Sequence, residues 1–551
     1  METGSTTAEG QALLRGRLTG RCIAMGLMGS LLLSTCGSWP VRSTEHVEVK
    51  IDGVVLPVSV EELGALVRTP AGDQSQLPRS ELSTWMRLLA PESKEGLIRL
   101  LNAPVLSRRS LGRQLLSSWG ASPLLDALGE LIRVEDGGRI NSALVLSTLE
   151  QLLERQDSVS TLDVLEALPN RQLRLDLDAL VEAANRWRLE LQRHQGLVQA
   201  LGQEEVRMQS IPSRDLPSSA LSFSGAEPRL ATLAVAHRPR PLRVERWIPA
   251  SPREDRTWVL LMPGLGGDPN HFHWLARSLM AAGWPVALLE HPGSDAAAVQ
   301  GLLEGRQSFD GAEVLQQRLA DLAAVLDAQR SGDLKIPGEE VVLMGHSLGA
   351  LTALLASGAA VVPGMDRRCD VALAGLPLTN LSELLQCELA AGRVLDANAM
   401  LPLPRAVVGF NSFGGLIWPH RLSQALPLPL LLVGGTLDLI TPALDEQIAL
   451  LAGLTQHPAS RVVVVEGASH FSPIRVDGQG SASEGDDLFR LGEELVGVNP
   501  LSVQRVIAFE VISFLKALST EPSRQNSMHL SDSTIRWHRL ERRRALQLLD
   551  Q

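Results

Sequence analysis

The chain contains no tyrosine, and only four cysteines stand among its 551 residues. Without tyrosine no phenol can serve as acid, base or oxyanion donor, so proton chemistry falls to His, Asp or Glu. Aromatic residues of all kinds make up only 3%. Basic residues are in deficit, 51 Lys and Arg against 62 Asp and Glu, for a formal net charge of −11. A nucleic-acid surface needs a basic stripe or patch, so nucleic acid is not expected as a partner. Long apolar runs are lacking too. The run from Cys22 to about Thr35 is short for a membrane span. Arg15, Arg17 and Arg21 precede it and small residues follow up to Ser38, so residues 1–38 read as a secretory signal peptide. Export to the periplasm or another extracytoplasmic compartment is the expectation. An uncleaved anchor, or lipidation of Cys36 within Leu33-Ser34-Thr35-Cys36, is the alternative. Removal beyond Cys36 leaves Cys369 and Cys387, for which a disulfide and two buried thiols fit equally well.

A hydrophobic content of 44% with 21% charged residues is that of a folded globular protein, long enough for roughly two or three domains. Val47 to Ile51, Asp52-Gly53, and Val54 to Val60 read as a hairpin, and Ser59 with Glu62 as a capping box opening a helix. Helical spacing follows at Leu82, Met86 and Leu89, at Leu124, Leu128, Leu131 and Ile132, and from Asp178 to Leu201. Residues 40–205 are therefore expected to form a mainly helical accessory domain. The Ser- and Pro-rich residues 206–228 read as a linker. From 229 to 518 short apolar runs alternate with helical stretches: Trp258–Met262, Val286–Leu289, Val341–Met344, Ala406–Phe410, Leu430–Val433 and Val462–Val465. Continuous apolar strands suit a parallel sheet buried on both faces, so the class is α/β. Residues 369–404 read as a helical cap insertion over the pocket or, alternatively, a plain extra pair of core helices, and 519–551 as a polar tail ending in a short solvated helix.

Gly345-His346-Ser347-Leu348-Gly349 stands between a strand pattern and a helical one. That is the setting of a nucleophile elbow, a strained strand-to-helix turn in which flanking glycines leave room for the serine. The partners should follow in the order acid, then His. Asp438 lies just past the run Leu430–Val433, and His470 just past Val462–Val465. The carboxyl edge of a parallel sheet is where all three could meet. Ser347 is thus read as nucleophile, His470 as base and Asp438 as the orienting acid, with Asp445 the weaker competitor. The oxyanion hole is assigned to the amides of Leu348 and Leu265, with Gly266 the second choice in Pro263-Gly264-Leu265-Gly266-Gly267. His346 is read as flanking the elbow. His271 and His273 lie two apart on an expected helix and face different ways, so no metal site and no cofactor are expected.

From about 230 to 518 the chain resembles the α/β-hydrolases of the dienelactone-hydrolase-like group, related to platelet-activating-factor acetylhydrolases and bacterial polyester-cleaving esterases. The matching pieces are Pro263-Gly264-Leu265-Gly266-Gly267, Glu290-His291-Pro292-Gly293, the Ser347 elbow, Gly435-Thr436-Leu437-Asp438 with Pro442, and Gly467-Ala468-Ser469-His470-Phe471. The resemblance implies an α/β-hydrolase fold, a mostly parallel sheet flanked by helices. Residues 45–205 are similar to a helical domain of unassigned role that precedes such hydrolases in photosynthetic bacteria. Dienelactone hydrolases carry Cys in the elbow where this chain has Ser347, so ordinary ester hydrolysis is the expected chemistry. The expected partner is a small-molecule or lipid ester, with membrane contact compatible but not required. Acyl transfer on the same triad, or a non-catalytic exported binding protein, are the alternatives.

Overall fold

The computed structural model describes residues 46–51, 54–68, 101, 104–107, 132–134, 142–168, 172–211, 227–303, 310–374, 379–390, 401–422, 425–474, 498–520, 526–532 and 534–550. The expected signal peptide, Cys36, and the helical patterns at 82–89 and 124–131 lie outside these residues.

The first segment holds strands β1 (His46–Ile51), β2 (Val54–Ser59), β3 (Pro104–Ser107), β4 (Ile132–Val134), β5 (Ser158–Ser160) and β6 (Gln172–Asp176). Its helices are α1 (Val60–Arg68), α2 (Ser142–Arg155), α3 (Thr161–Ala167) and α4 (Leu177–Gly202). The region is thus not helical alone. β1 pairs antiparallel with β2 and parallel with β6, which in turn pairs with β4, and β3 pairs with β5. Strands as short as β4 and β5, three residues each, carry no readable period, and Ile132, assigned to a helical repeat, opens β4.

The large sheet contains β7 (Arg207–Met208), β8 (Arg229–Leu233), β9 (Leu242–Trp247), β10 (Thr257–Met262), β11 (Val286–Leu289), β12 (Glu340–His346), β13 (Ala406–Phe410), β14 (Leu430–Gly435), β15 (Arg461–Val465), β16 (Met528–Ser531) and β17 (Arg536–Leu540). Their order is β7-β16-β17-β15-β14-β13-β12-β10-β11-β9-β8. The six strands from β15 to β11 run parallel. β10, β11, β13, β14 and β15 are buried at every position, as a sheet covered on both faces requires. The covering helices are α5 (His273–Ala281), α6 (Ala296–Leu303), α7 (Gly311–Arg330), α8 (Leu348–Ala356), α9 (Met365–Ala374), α10 (Ser382–Ala390), α11 (Ala449–Leu454), α12 (Pro500–Leu518) and α13 (Arg542–Leu549).

Three expected boundaries are corrected. The tail 519–551 is structural: β17 pairs antiparallel with β15, β16 with β17, and α13 buries Ala545 and Leu548. Its sequence reads as polar, yet Trp537, His538 and Leu540 are fully buried beside the part-buried Arg536 and Arg539. The linker starts inside the sheet, since β7 pairs with β16. And α4 packs against the large sheet, with Leu197 and Leu201 in the same core as β10 and β12. Cys369 of α9 and Cys387 of α10 form a disulfide.

Candidate active site

β12 delivers Ser347. The residue stands at φ 51°, ψ −118°, between strand and helix. A β-carbon at Gly345 would fall 2.2 Å from the backbone of Gly349, and one at Gly349 2.1 Å from the Met262 carbonyl oxygen. Only hydrogen fits at both places, which is why the elbow needs two glycines. A non-glycine residue held at positive φ stores strain and lifts its side chain clear of the turn. Ser347 caps nothing with its hydroxyl, despite preceding a helix.

Asp438 and His470 arrive from β14 and β15. His470 Nδ1 donates to Asp438 Oδ2 at 3.1 Å, which leaves Nε2 as the acceptor nitrogen. Asp438 is held on all sides. Its Oδ1 accepts the amides of Ile440 and Thr441 at 2.9 and 2.8 Å, and its Oδ2 takes Asn411 Nδ2 at 2.7 Å and the Thr441 hydroxyl at 2.6 Å. Burial pushes this carboxyl up, but the neighbouring His470 and the hydrogen bonds from His470 and Thr441 outweigh it and hold it below the usual carboxylate range. Asp445, the competitor, is taken by α4: His194 Nε2 lies 2.5 Å and the Arg193 guanidinium 3.1 Å from it.

The oxyanion loop follows β10. A β-carbon built on Gly264 would stand 3.1 Å from Ser347 Cβ, so this peptide passes directly beside Ser347. The Gly267 amide donates to the Gly264 carbonyl at 3.2 Å. In a trans peptide the N–H points opposite to the C=O, so the Leu265 amide is turned outward from that turn. The Gly266 amide is committed to the Ser294 carbonyl at 2.8 Å, which removes the second choice. Among the described residues no acceptor takes the amides of Leu265 or Leu348.

Three contributors were not assigned from sequence. Asn411, at the end of β13 with φ 46°, anchors the acid; its left-handed backbone carries no sequence signal except that Asn tolerates it. Thr441 anchors it from the other side. His346 does more than flank: its Nε2 donates to the His470 carbonyl at 3.0 Å, tying the elbow to the base loop. Burial, with His470 next to it, holds His346 down to about 3, so it stays neutral. His271 accepts the Asp268 amide and His273 meets Glu245 at 2.6 Å, so the two point apart. No group of three metal-ligating side chains occurs among the described residues. On the α4 side of the acid loop lies a largely apolar cleft of about 330 Å³, with Leu191, Leu197 and Val198 facing Leu437, Leu439 and Pro442.

Six parallel strands with helices on both faces, and Ser347, Asp438 and His470 at their carboxyl edge in that chain order, decide the architecture. The fold is that of the α/β hydrolases. Residues 43–176 match the model of a family described as an alpha/beta hydrolase of unknown function. No curated protein matches the chain. Among solved structures it is similar to an α/β serine hydrolase without a lid from Xanthomonas campestris, at 19% identity over 44% of this chain and 86% of that one, with a TM-score of 0.27. The matched residues lie before the large sheet, and the candidate site lies outside them.

Proposed function

We propose that the protein is a serine hydrolase of carboxylic esters. The observation that carries this reading is Ser347 at positive φ beside two unengaged amides, in a site where His470 is oriented by a buried, charged Asp438. Ser347 Oγ attacks the ester carbonyl carbon while His470 Nε2 takes its proton. The amides of Leu265 and Leu348 stabilise the oxyanion, each contributing about 3 kcal/mol to the lowered barrier. The tetrahedral intermediate then expels the alcohol, which leaves with the proton from His470. Water, deprotonated by His470, cleaves the acyl-enzyme and restores Ser347. The apolar cleft beside the acid loop gives a hydrophobic acyl or alcohol group a place to lie.

A fluorescent fluorophosphonate tests the reading without knowledge of the substrate. The wild-type chain is expected to be labelled, and Ser347→Ala and His470→Ala are expected to lose labelling. A folded wild type that stays unlabelled would sink the proposal.

A further inference from the structure

Arg318 sits inside α7 at 1% exposure. Its guanidinium reaches three separate segments. Nη1 donates to Ser294 Oγ at 2.8 Å, Nε to Thr352 Oγ1 at 3.2 Å, and Nη2 to the Pro263 carbonyl. Each contact is one step from an oxyanion-hole amide. Pro263 opens the loop that carries Leu265. The Ser294 carbonyl holds the amide of Gly266, the next residue. The Thr352 hydroxyl donates to the carbonyl of Leu348 at 2.7 Å.

We propose that Arg318 is a positioning residue of the oxyanion hole, fixing the Leu265 amide in register with the Leu348 amide by strapping the oxyanion loop to the elbow helix. The inference rests on the reading of Ser347 as nucleophile.

A purely space-filling role does not explain the choice of side chain. Burying a guanidinium carries a large desolvation cost, and an apolar residue would fill the volume without it. The compensating charge, Asp321 on the next turn, has its own oxygens bonded to His237, Arg238 and His291. Arg318 therefore directs its hydrogen bonds to neutral oxygens of the loops around the candidate site. Burial holds its pKa down to about 9, so it remains charged at neutral pH. A planar fork with divergent donors can set three oxygens in one fixed geometry, which the single ammonium of Lys cannot. The loop it restrains contains three glycines in four residues, so it has no intrinsic stiffness of its own.

The test measures p-nitrophenyl butyrate hydrolysis per serine titrated by fluorophosphonate, with inhibition by an alkyl trifluoromethyl ketone. That ketone's serine adduct is itself a tetrahedral oxyanion, so its Ki reads the hole directly. Arg318→Gln is expected to lower kcat per titrated site about 100-fold, the size of losing one donor, with KM nearly unchanged and Ki raised by the same factor. Arg318→Lys should recover part of both. Thr352→Val and Ser294→Ala should each show the same coupled change at about 5–10-fold, and they decide the matter if the Arg318 variants do not fold. Unchanged kcat per site and unchanged Ki, with only the titratable fraction or the melting temperature reduced, would overturn the inference and leave the hydrolase reading standing. A wild type inert to fluorophosphonate overturns both.

Discussion

Asp438 keeps its charge in full burial because five donors converge on two oxygens, and one of them comes from Asn411. Removing that donor leaves the carboxylate bound on fewer sides and free to rotate away from His470. Asn411→Ala is expected to lower kcat/KM about 10-fold or more while leaving Ser347 open to slow phosphonylation, a loss to be read from ester kinetics beside labelling rates. Two buried histidines set the response of stability to pH. Burial, with Arg318 nearby, brings His291 down to about 4, and His346 is held at about 3. Both folded values lie below the unfolded value of roughly 6.5, so between about pH 6.5 and 4 the unfolded chain binds protons that the folded one refuses. Stability therefore falls as pH drops through that window, by about 1.4 kcal/mol per pH unit for each histidine. Urea midpoints at stepped pH values check the slope, and a flat response would contradict the buried neutral state. Asp321 and Asp438 act the same way further down. Their depressed values make their stabilisation present above about pH 4 and lost as pH falls further.

At the scale of elements, the C-terminal hairpin supports the strand that carries the base. β17 covers the edge of β15, and the Glu466 amide, at the root of the His470 loop, donates to the Arg536 carbonyl at 3.0 Å. Trp537 fixes the hairpin from inside, fully buried with its indole N–H on Glu510 Oε1 at 2.8 Å. Trp537→Ala is expected to cost about 3–5 kcal/mol in a urea titration and to reduce fluorophosphonate labelling through the base loop. A neutral result would return the tail to the solvated role its composition suggests. That composition misleads because the hairpin buries polar side chains along with apolar ones: His538 is as fully buried as Trp537. Arg536 and Arg539 flank Trp537 and His538 in a pattern too short to separate from a polar tail. Central strands such as β14 and β15 were legible for the opposite reason, since both their faces are apolar.

For the whole molecule, α4 joins the N-terminal region to the hydrolase sheet. Leu197 and Leu201 enter the hydrolase core, and Arg193 and His194 both meet Asp445 beyond the acid loop. The described residues form one compact unit. Leu201→Ala, a cavity in that shared core, is expected to destabilise by about 2–5 kcal/mol and to shift the unfolding of both regions together, followed by tryptophan fluorescence and by loss of labelling. Two transitions, with labelling unaffected by the first, would show instead that the N-terminal region is energetically separate. The 26 residues of α4 were legible as a helix from their period. Its placement was not, because the period gives the apolar face and not what that face meets.

The sequence by itself determined the α/β alternation, the central strands, and the order of elbow, acid loop and base loop. These follow from local chemistry: glycines that a strained turn requires, and apolar runs that only a doubly covered sheet can bury. Tertiary structure alone decided which amides of the Pro263–Gly267 loop stay unengaged, that Asn411, Thr441 and His346 hold the candidate triad, and that the polar C-terminus pairs with the sheet. Each of these depends on contacts between residues far apart in the chain, 124 positions for His346 and His470, and no local pattern of residue types encodes a partner at that distance.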